Sequence, residues 1–189
     1  MNTLIFFGSP RKNGGTAALT DILCRGLAGG HKLVYAYSSD ISPCVDCRAC
    51  RTLPGCVIKD SMSEVYDCIA ECDNIVIASP IYYAELTGRL LDVASRLQTF
   101  FSARRYRGEK PRIRPKRGGV ILVGGGSGGA ERAFETAKMI MREMNCRDIF
   151  APVCSVNTDA VPAETDEIAL SKIWALTDFL YDTERTRKT

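Results

Sequence analysis

The chain has 189 residues, 46% hydrophobic and 25% charged, with 16 Gly and 8 Pro, an ordinary globular composition at the size of one domain. At this length most of the unfolded surface can be buried, so neither disulfide staples nor a structural metal is needed to hold a fold. The net charge of +3 is too small to make nucleic acid or a membrane surface the main partner.

In chain order, the first apolar run is Leu4-Ile5-Phe6-Phe7, a short β-branched and aromatic stretch that ends at a Gly/Ser/Pro cluster and predicts a buried strand. Leu19, Ile22, Leu23 and Leu27 then form one apolar helical stripe, with Thr16 placed to cap its start and Gly29-Gly30 to stop it. His31 follows as an exposed linker residue, and Lys32 to Tyr37 alternates like an edge strand. Four cysteines, Cys44, Cys47, Cys50 and Cys56, crowd the next loop. A short helix from Met62 to Glu71 precedes a second buried strand, Asn74 to Ala78.

Leu86, Leu90, Val93, Ala94 and Leu97 predict one amphipathic helix. Between Arg104 and Arg117 stand eight basic residues and one acid, Glu109, with Pro111 and Pro115 among them. This segment reads as a solvated surface loop, or more sharply as a docking surface for a cofactor phosphate or an acidic redox partner. Only Tyr106 offers a stacking ring there, which disfavours nucleic acid. Gly119 to Val123 is a third buried strand, and Phe134, Ala137, Met141 and Met144 mark the helix after it. The run Ile149 to Val156 holds Pro152, which restricts it to a sheet edge. Ala169, Ile173, Leu176 and Leu180 line a last helix, in which Trp174 is expected in the core.

Strands buried on both faces and alternating with helices specify a parallel sheet with right-handed crossovers. The expected fold is α/β and flavodoxin-like, a three-layer sandwich with a five-stranded parallel sheet of order 2-1-3-4-5, residues 1–189 forming one domain. No apolar run approaches the ~18 residues of a membrane span, and Met1-Asn2-Thr3 starts no signal sequence. Nine cysteines, an odd number, argue against a disulfide framework and for a reducing, cytoplasmic location. Cys24, Cys68, Cys72, Cys146 and Cys154 fall in helical or strand patterns and read as buried and inert.

In such a sheet ligands sit beyond the carboxyl ends of the strands, where the loops after strands one, three and four converge. The first loop, Gly8-Ser9-Pro10-Arg11-Lys12-Asn13-Gly14-Gly15-Thr16, combines small residues, hydroxyls and a guanidinium before a helix N-terminus, the makings of a phosphate cradle. It lacks the Gly-Lys-Ser/Thr of a nucleoside-triphosphate P-loop. The second loop, Ser79-Pro80-Ile81-Tyr82-Tyr83-Ala84, offers a rigid proline and two rings against which a flat ligand can rest. The third, Gly124-Gly125-Gly126-Ser127-Gly128-Gly129, is bare backbone suited to one edge of a planar ring. No Ser-His-Asp or Cys-His arrangement is available for hydrolysis.

These loops together, Gly8-Ser9-Pro10-Arg11-x-x-Gly14-x-Thr16, Ser79-Pro80-Ile81-Tyr82-Tyr83 and the Gly-rich stretch, resemble the NADPH-dependent FMN reductase family. The resemblance implies FMN, with its phosphate held by Ser9, Arg11, Asn13, Gly14, Gly15 and Thr16. Its isoalloxazine would lie between Pro80, Ile81, Tyr82 and Tyr83 on one side and Gly124, Gly125, Gly126 and Ser127 on the other. The implied activity is NAD(P)H-dependent reduction of a small acceptor such as a quinone or azo compound, the flavin carrying the chemistry without a catalytic side chain, in a homodimer or homotetramer. The spacing Cys44-x-x-Cys47-x-x-Cys50-x5-Cys56 resembles the compact motif of the iron–sulfur flavoproteins, where it ligates a [4Fe-4S] cluster. That resemblance implies an alternative in which electrons pass from ferredoxin through the cluster to FMN. Zinc or free thiols remain open for the same four residues.

Overall fold

The computed structural model describes residues 1–182; positions 183–189 of the expected domain lie outside the described residues. Strand β1 (Thr3–Phe7) leads through the first loop into α1 (Gly15–Gly26), and β2 (His31–Tyr35) follows. The cysteine loop contains one short 3-10 turn, Ala49–Arg51, before α2 (Met62–Glu71) and β3 (Asn74–Pro80). Helices α3 (Gly88–Ser95) and α4 (Gln98–Tyr106) precede β4 (Lys116–Val123) and α5 (Ala130–Glu143). Strands β5 (Cys146–Ile149) and β6 (Val153–Ser155) then lead to α6 (Glu167–Tyr181).

All pairings between these strands are parallel, in the order β2-β1-β3-β4-β5, with β6 also on β4. Residues of β1, β3 and β4 are buried on both faces, so successive side chains feed opposite cores. Leu4, Phe6, Ile75, Ile77, Val120 and Leu122 pack with α2, α3 and α5. Ile5, Phe7, Val76, Ala78, Ile121 and Val123 pack with α1 and α6. This is the flavodoxin-like three-layer sandwich, and the three loops singled out in the sequence leave the carboxyl ends of β1, β3 and β4 on one edge.

Four local expectations are corrected. The fifth strand is split into β5 and β6: the Phe150 N–H still donates to the Gly118 carbonyl of β4 at 2.9 Å, but Pro152 has no N–H for the ladder, and regular pairing resumes only at Val153. The helix expected through Leu97 breaks after Ser95, where Arg96 and Leu97 donate to Val93 and Ala94 in tight i−3 turns and the Tyr66 hydroxyl donates to the Arg96 carbonyl at 2.8 Å. Thr16 does not cap α1: Gly14 holds the cap position without a side-chain bond, and Thr16 is buried in the first turn. Trp174 is 52% exposed, since Ile173 and Leu176 take the core-facing positions of α6.

The basic segment is not one solvated loop. Arg104 and Arg105 end α4, while Lys116 and Arg117 are buried at the start of β4. There the Lys116 ammonium donates to the Cys72 carbonyl at 2.6 Å, and Arg117 to that of Phe179 at 2.8 Å. Arg104 pairs with Glu143, and Arg114 donates to the Glu71 carbonyl. Lys110 and Arg112 remain exposed.

Candidate functional site

The loop after β1 turns on the Ser9 hydroxyl, which accepts from the Arg11 N–H at 3.2 Å and donates to the Arg11 carbonyl at 3.1 Å. Arg11 folds back over Gly14, where an added Cβ would stand 3.3 Å from its Nε. Because Gly14 offers no side-chain cap, the first N–H groups of α1 stay available and the positive end of the helix dipole faces the loop. The Gly8 end is held by the Thr87 hydroxyl, which donates to the Gly8 carbonyl at 2.8 Å.

The loop after β3 is a tight turn, with the Tyr82 N–H donating to the Glu85 carbonyl at 2.9 Å and the reverse bond at 3.0 Å. Its two central residues, Tyr83 and Ala84, have φ of 53° and 61°, a left-handed pair more usual for Asn-Gly. Side chains there are costly for the backbone, and such strain persists where its surroundings over-determine it. Tyr83 is wholly exposed and Tyr82 46% exposed, so both rings present apolar surface at the edge of the sheet. The turn is anchored to α5 by the Thr136 hydroxyl donating to Glu85 at 2.8 Å.

The loop after β4 is braced from a place that sequence reasoning missed. Thr158 donates to the Gly124 carbonyl through its N–H (3.0 Å) and its hydroxyl (3.1 Å), and Asn157 donates to the Gly126 carbonyl at 2.7 Å. The Asp159 carboxylate lies against Gly125, where any Cβ would come within 2.7 Å of it. The signal was present: the polar trio Asn157-Thr158-Asp159 directly follows the last strand, on the same sheet edge.

One polar cavity joins the three loops. Ser9, Arg11, Gly14, Gly15 and Thr16 line one wall, Pro80, Ile81 and Tyr82 a second, and Gly125, Thr158 and Asp159 a third. Asn13, Tyr83, Gly124, Gly126 and Ser127 stand outside that lining; Asn13, Gly126 and Ser127 are exposed beside it and Gly124 is buried.

A second cavity is built on the cysteine loop, and Cys44, Cys47, Cys50 and Cys56 all line it, facing Thr99, Ser102 and Tyr106 of α4. Cys44 and Cys47 are exposed, Cys50 and Cys56 half-buried. The base of the loop is tied by Arg96, which is 1% exposed. Its guanidinium donates to both Asp60 oxygens, at 2.6 and 3.2 Å, and to the carbonyls of Ser42 and Ile58. Asp60 in turn accepts from the Ser42 and Met62 N–H groups, each at 3.0 Å. Burial pushes the Asp60 carboxyl up, but Arg96 and these two N–H groups outweigh it and hold it below its usual range. Higher in the loop, Ser95 accepts from the Cys44 N–H at 2.9 Å, the Cys50 thiol donates to Ser102 at 3.3 Å, and Arg51 lies 4.6 Å from the Tyr106 ring centre.

Among the described residues, no three His, Cys, Asp or Glu side chains gather where one metal ion would be held. The four thiols that line this cavity are the residues that would hold a [4Fe-4S] cluster, each as one thiolate ligand. Of the other cysteines, Cys72 and Cys146 are buried, but Cys24, Cys68 and Cys154 are half-buried rather than fully so. Burial raises the Cys24 thiol to about 11 and that of Cys146 to about 12, leaving them protonated and poorly nucleophilic near neutrality.

The parallel sheet and the three converging loops define a flavodoxin-like protein with a polar cavity at its topological switch point. The chain belongs to the NADPH-dependent FMN reductase family, whose model matches residues 1–160; it is an FMN-dependent oxidoreductase. An iron-sulfur flavoprotein of Archaeoglobus fulgidus is 29% identical over 175 residues, 91% of this chain and 75% of the relative. One from Methanosarcina thermophila is 30% identical over 104 residues, 54% of this chain and 51% of that protein. Among solved structures, an NAD(P)H:quinone oxidoreductase from Methanothermobacter marburgensis superposes with a TM-score of 0.72 at 16% identity, covering 94% of this chain and 95% of the other. Among the described residues, no helix is long and apolar enough to cross a membrane.

Proposed function

We propose that the chain works as one FMN-binding domain that takes electrons from NAD(P)H and passes them to a small acceptor of the quinone or azo class. The uncapped start of α1, facing a polar cavity beside Arg11, Ser9 and Thr16, is the observation that carries this reading. These groups, with Asn13, Gly14 and Gly15, hold the phosphate through N–H, hydroxyl and guanidinium donors. Pro80, Ile81 and Tyr82 form one wall for the ring, with Tyr83 beyond it, and Gly125 the other, flanked by Gly124, Gly126 and Ser127 outside the lining. When bound, the flavin supplies the two-electron chemistry; the protein's share is to hold the ring, present N–H groups to its polar edge and leave one face open. Exposed Phe101 and Met139, which line one groove between α4 and α5, support assembly as a homodimer or homotetramer.

A second reading adds a [4Fe-4S] cluster on Cys44, Cys47, Cys50 and Cys56, loaded by single electrons from ferredoxin. Its support is the placement of all four thiols on one cavity wall. An ultraviolet–visible spectrum of anaerobically purified protein, with iron and acid-labile sulfide assayed on the same sample, tests both. Flavin bands that bleach with NADH or NADPH are expected, over a broad shoulder with about four irons per chain if the cluster is held. Protein without flavin after incubation with FMN refutes the first reading, and flavin without iron or sulfide refutes the second.

A further inference from the structure

Two arginine side chains near the cysteine loop, Arg96 in the cavity lining and Arg107 bonded to the Cys50 carbonyl, carry donors that have no acceptor among the described residues. Arg96 spends its terminal nitrogens on Asp60, Ser42 and Ile58, yet its Nε–H is buried without an acceptor while the residue lines the cavity. Arg107 spends its terminal nitrogens on Glu109 and the Cys50 carbonyl. Its side chain is 9% exposed, and its Nε–H is likewise buried and unpaired. A buried N–H without an acceptor costs about 1–3 kcal/mol, so two of them, one on a cavity-lining residue and one on the residue bonded to the Cys50 carbonyl, point to an acceptor supplied by what the cavity holds. Charge agrees: Arg96 is within electrostatic reach of the Cys56 thiol, and Arg107 of the Cys50 thiol.

We propose that Arg96 and Arg107 set the reduction potential of a thiolate-ligated iron–sulfur group in this cavity, acting as positioning residues whose paired cations favour its more negative, reduced form. The inference rests on the cluster reading above. The step concerned is the uptake of one electron from a low-potential one-electron donor; no bond forms or breaks, and the iron–sulfur group gains one negative charge. Hydrogen bonds to the cluster sulfurs and nearby charge are general determinants of such potentials. Arg96 has a second duty at the base of the loop, so Arg107 is the cleaner probe.

The test is a dithionite titration of the anaerobic, FMN-loaded protein, followed by electron paramagnetic resonance of the reduced cluster, with iron and sulfide assayed in every sample. Arg107→Gln is expected to lower the ratio of reduced to oxidised cluster about tenfold at fixed ambient potential, a shift of about 59 mV for one electron. Arg107→Lys, which keeps the charge, is expected to recover most of that ratio. Arg96→Lys keeps the charge but loses the Nε donor, and a smaller fall of the same sign is expected; it decides the matter should Arg107→Gln fail to load iron. Full iron content with an unchanged ratio in the variants overturns this inference alone. Wild-type protein that holds no iron or sulfide after anaerobic reconstitution overturns the cluster reading and this inference with it.

Discussion

Asp60→Asn removes the one carboxylate that closes the base of the cysteine loop, at almost constant volume. Each Asp60 oxygen accepts twice, from one backbone N–H and one Arg96 nitrogen, and an amide nitrogen in either position turns two of those four bonds into donor–donor contacts. At about 1.5–3 kcal/mol for each bond to a charged group, the loss is about 3–6 kcal/mol. Breaking a buried ion pair by neutralising one partner costs about 3–5 kcal/mol, and here both side chains are buried, 0% and 5% exposed. The melting temperature therefore falls by about 6–20 °C, taking about 2–4 °C per kcal/mol for a domain of this size. Urea unfolding checks it, with a lowered midpoint at unchanged slope. Glu64→Gln, which breaks the exposed Lys32–Glu64 pair (50% and 76% exposed), serves as the control at under about 1 kcal/mol. An Asp60→Asn midpoint indistinguishable from that control refutes the claim that this pair holds the loop.

The same carboxylate dictates an acid limb. Its folded pKa lies below the ordinary 3.8, so its stabilisation is complete above that value and is lost as pH falls through the lower folded one; urea midpoints measured down to about pH 3 are expected to show this limb in the wild type and not in Asp60→Asn. Gly119→Ala places a Cβ 2.7 Å from a Leu176 methyl between β4 and α6, and is expected to cost about 1–3 kcal/mol of stability by overpacking, read by urea unfolding. Gly125→Ala drives a methyl to within 2.7 Å of Asp159 and displaces the loop proposed to face the ring. FMN titration by fluorescence quenching is expected to show about tenfold weaker binding, equivalent to about 1.4 kcal/mol.

Much of this protein was legible in its chain because the signals are local and periodic. The apolar runs at Leu4, Ile75 and Val120 are buried on both faces of the sheet, and a run without alternation has no other stable place. The short helix Met62–Glu71 appears with the bounds expected of it. The order β2-β1-β3-β4-β5 follows from right-handed crossovers and the edge character of the second and last strands. Cysteine spacing brought four thiols to one loop, and the Gly-rich loops after β1 and β4 line one polar cavity through Gly14, Gly15 and Gly125.

Tertiary structure alone decided what those loops lean on. Nothing in the spacing of Arg96, Asp60, Ser42 and Ile58 announces a pair, since they meet across 54, 38 and 36 positions of chain. Arg96 looks like a surface residue of a helix until the helix breaks beside it. Lys116 and Arg117 read as the end of a basic loop, yet distant carbonyls of Cys72 and Phe179 make their burial affordable. Thr158 and Asp159 become part of the polar cavity only because β6 pairs with β4 and delivers the following turn to Gly124 and Gly125. Periodicity reports which face of an element turns inward, a property of one segment; which polar groups satisfy one another inside is a property of pairs, and only the folded chain brings the pairs together.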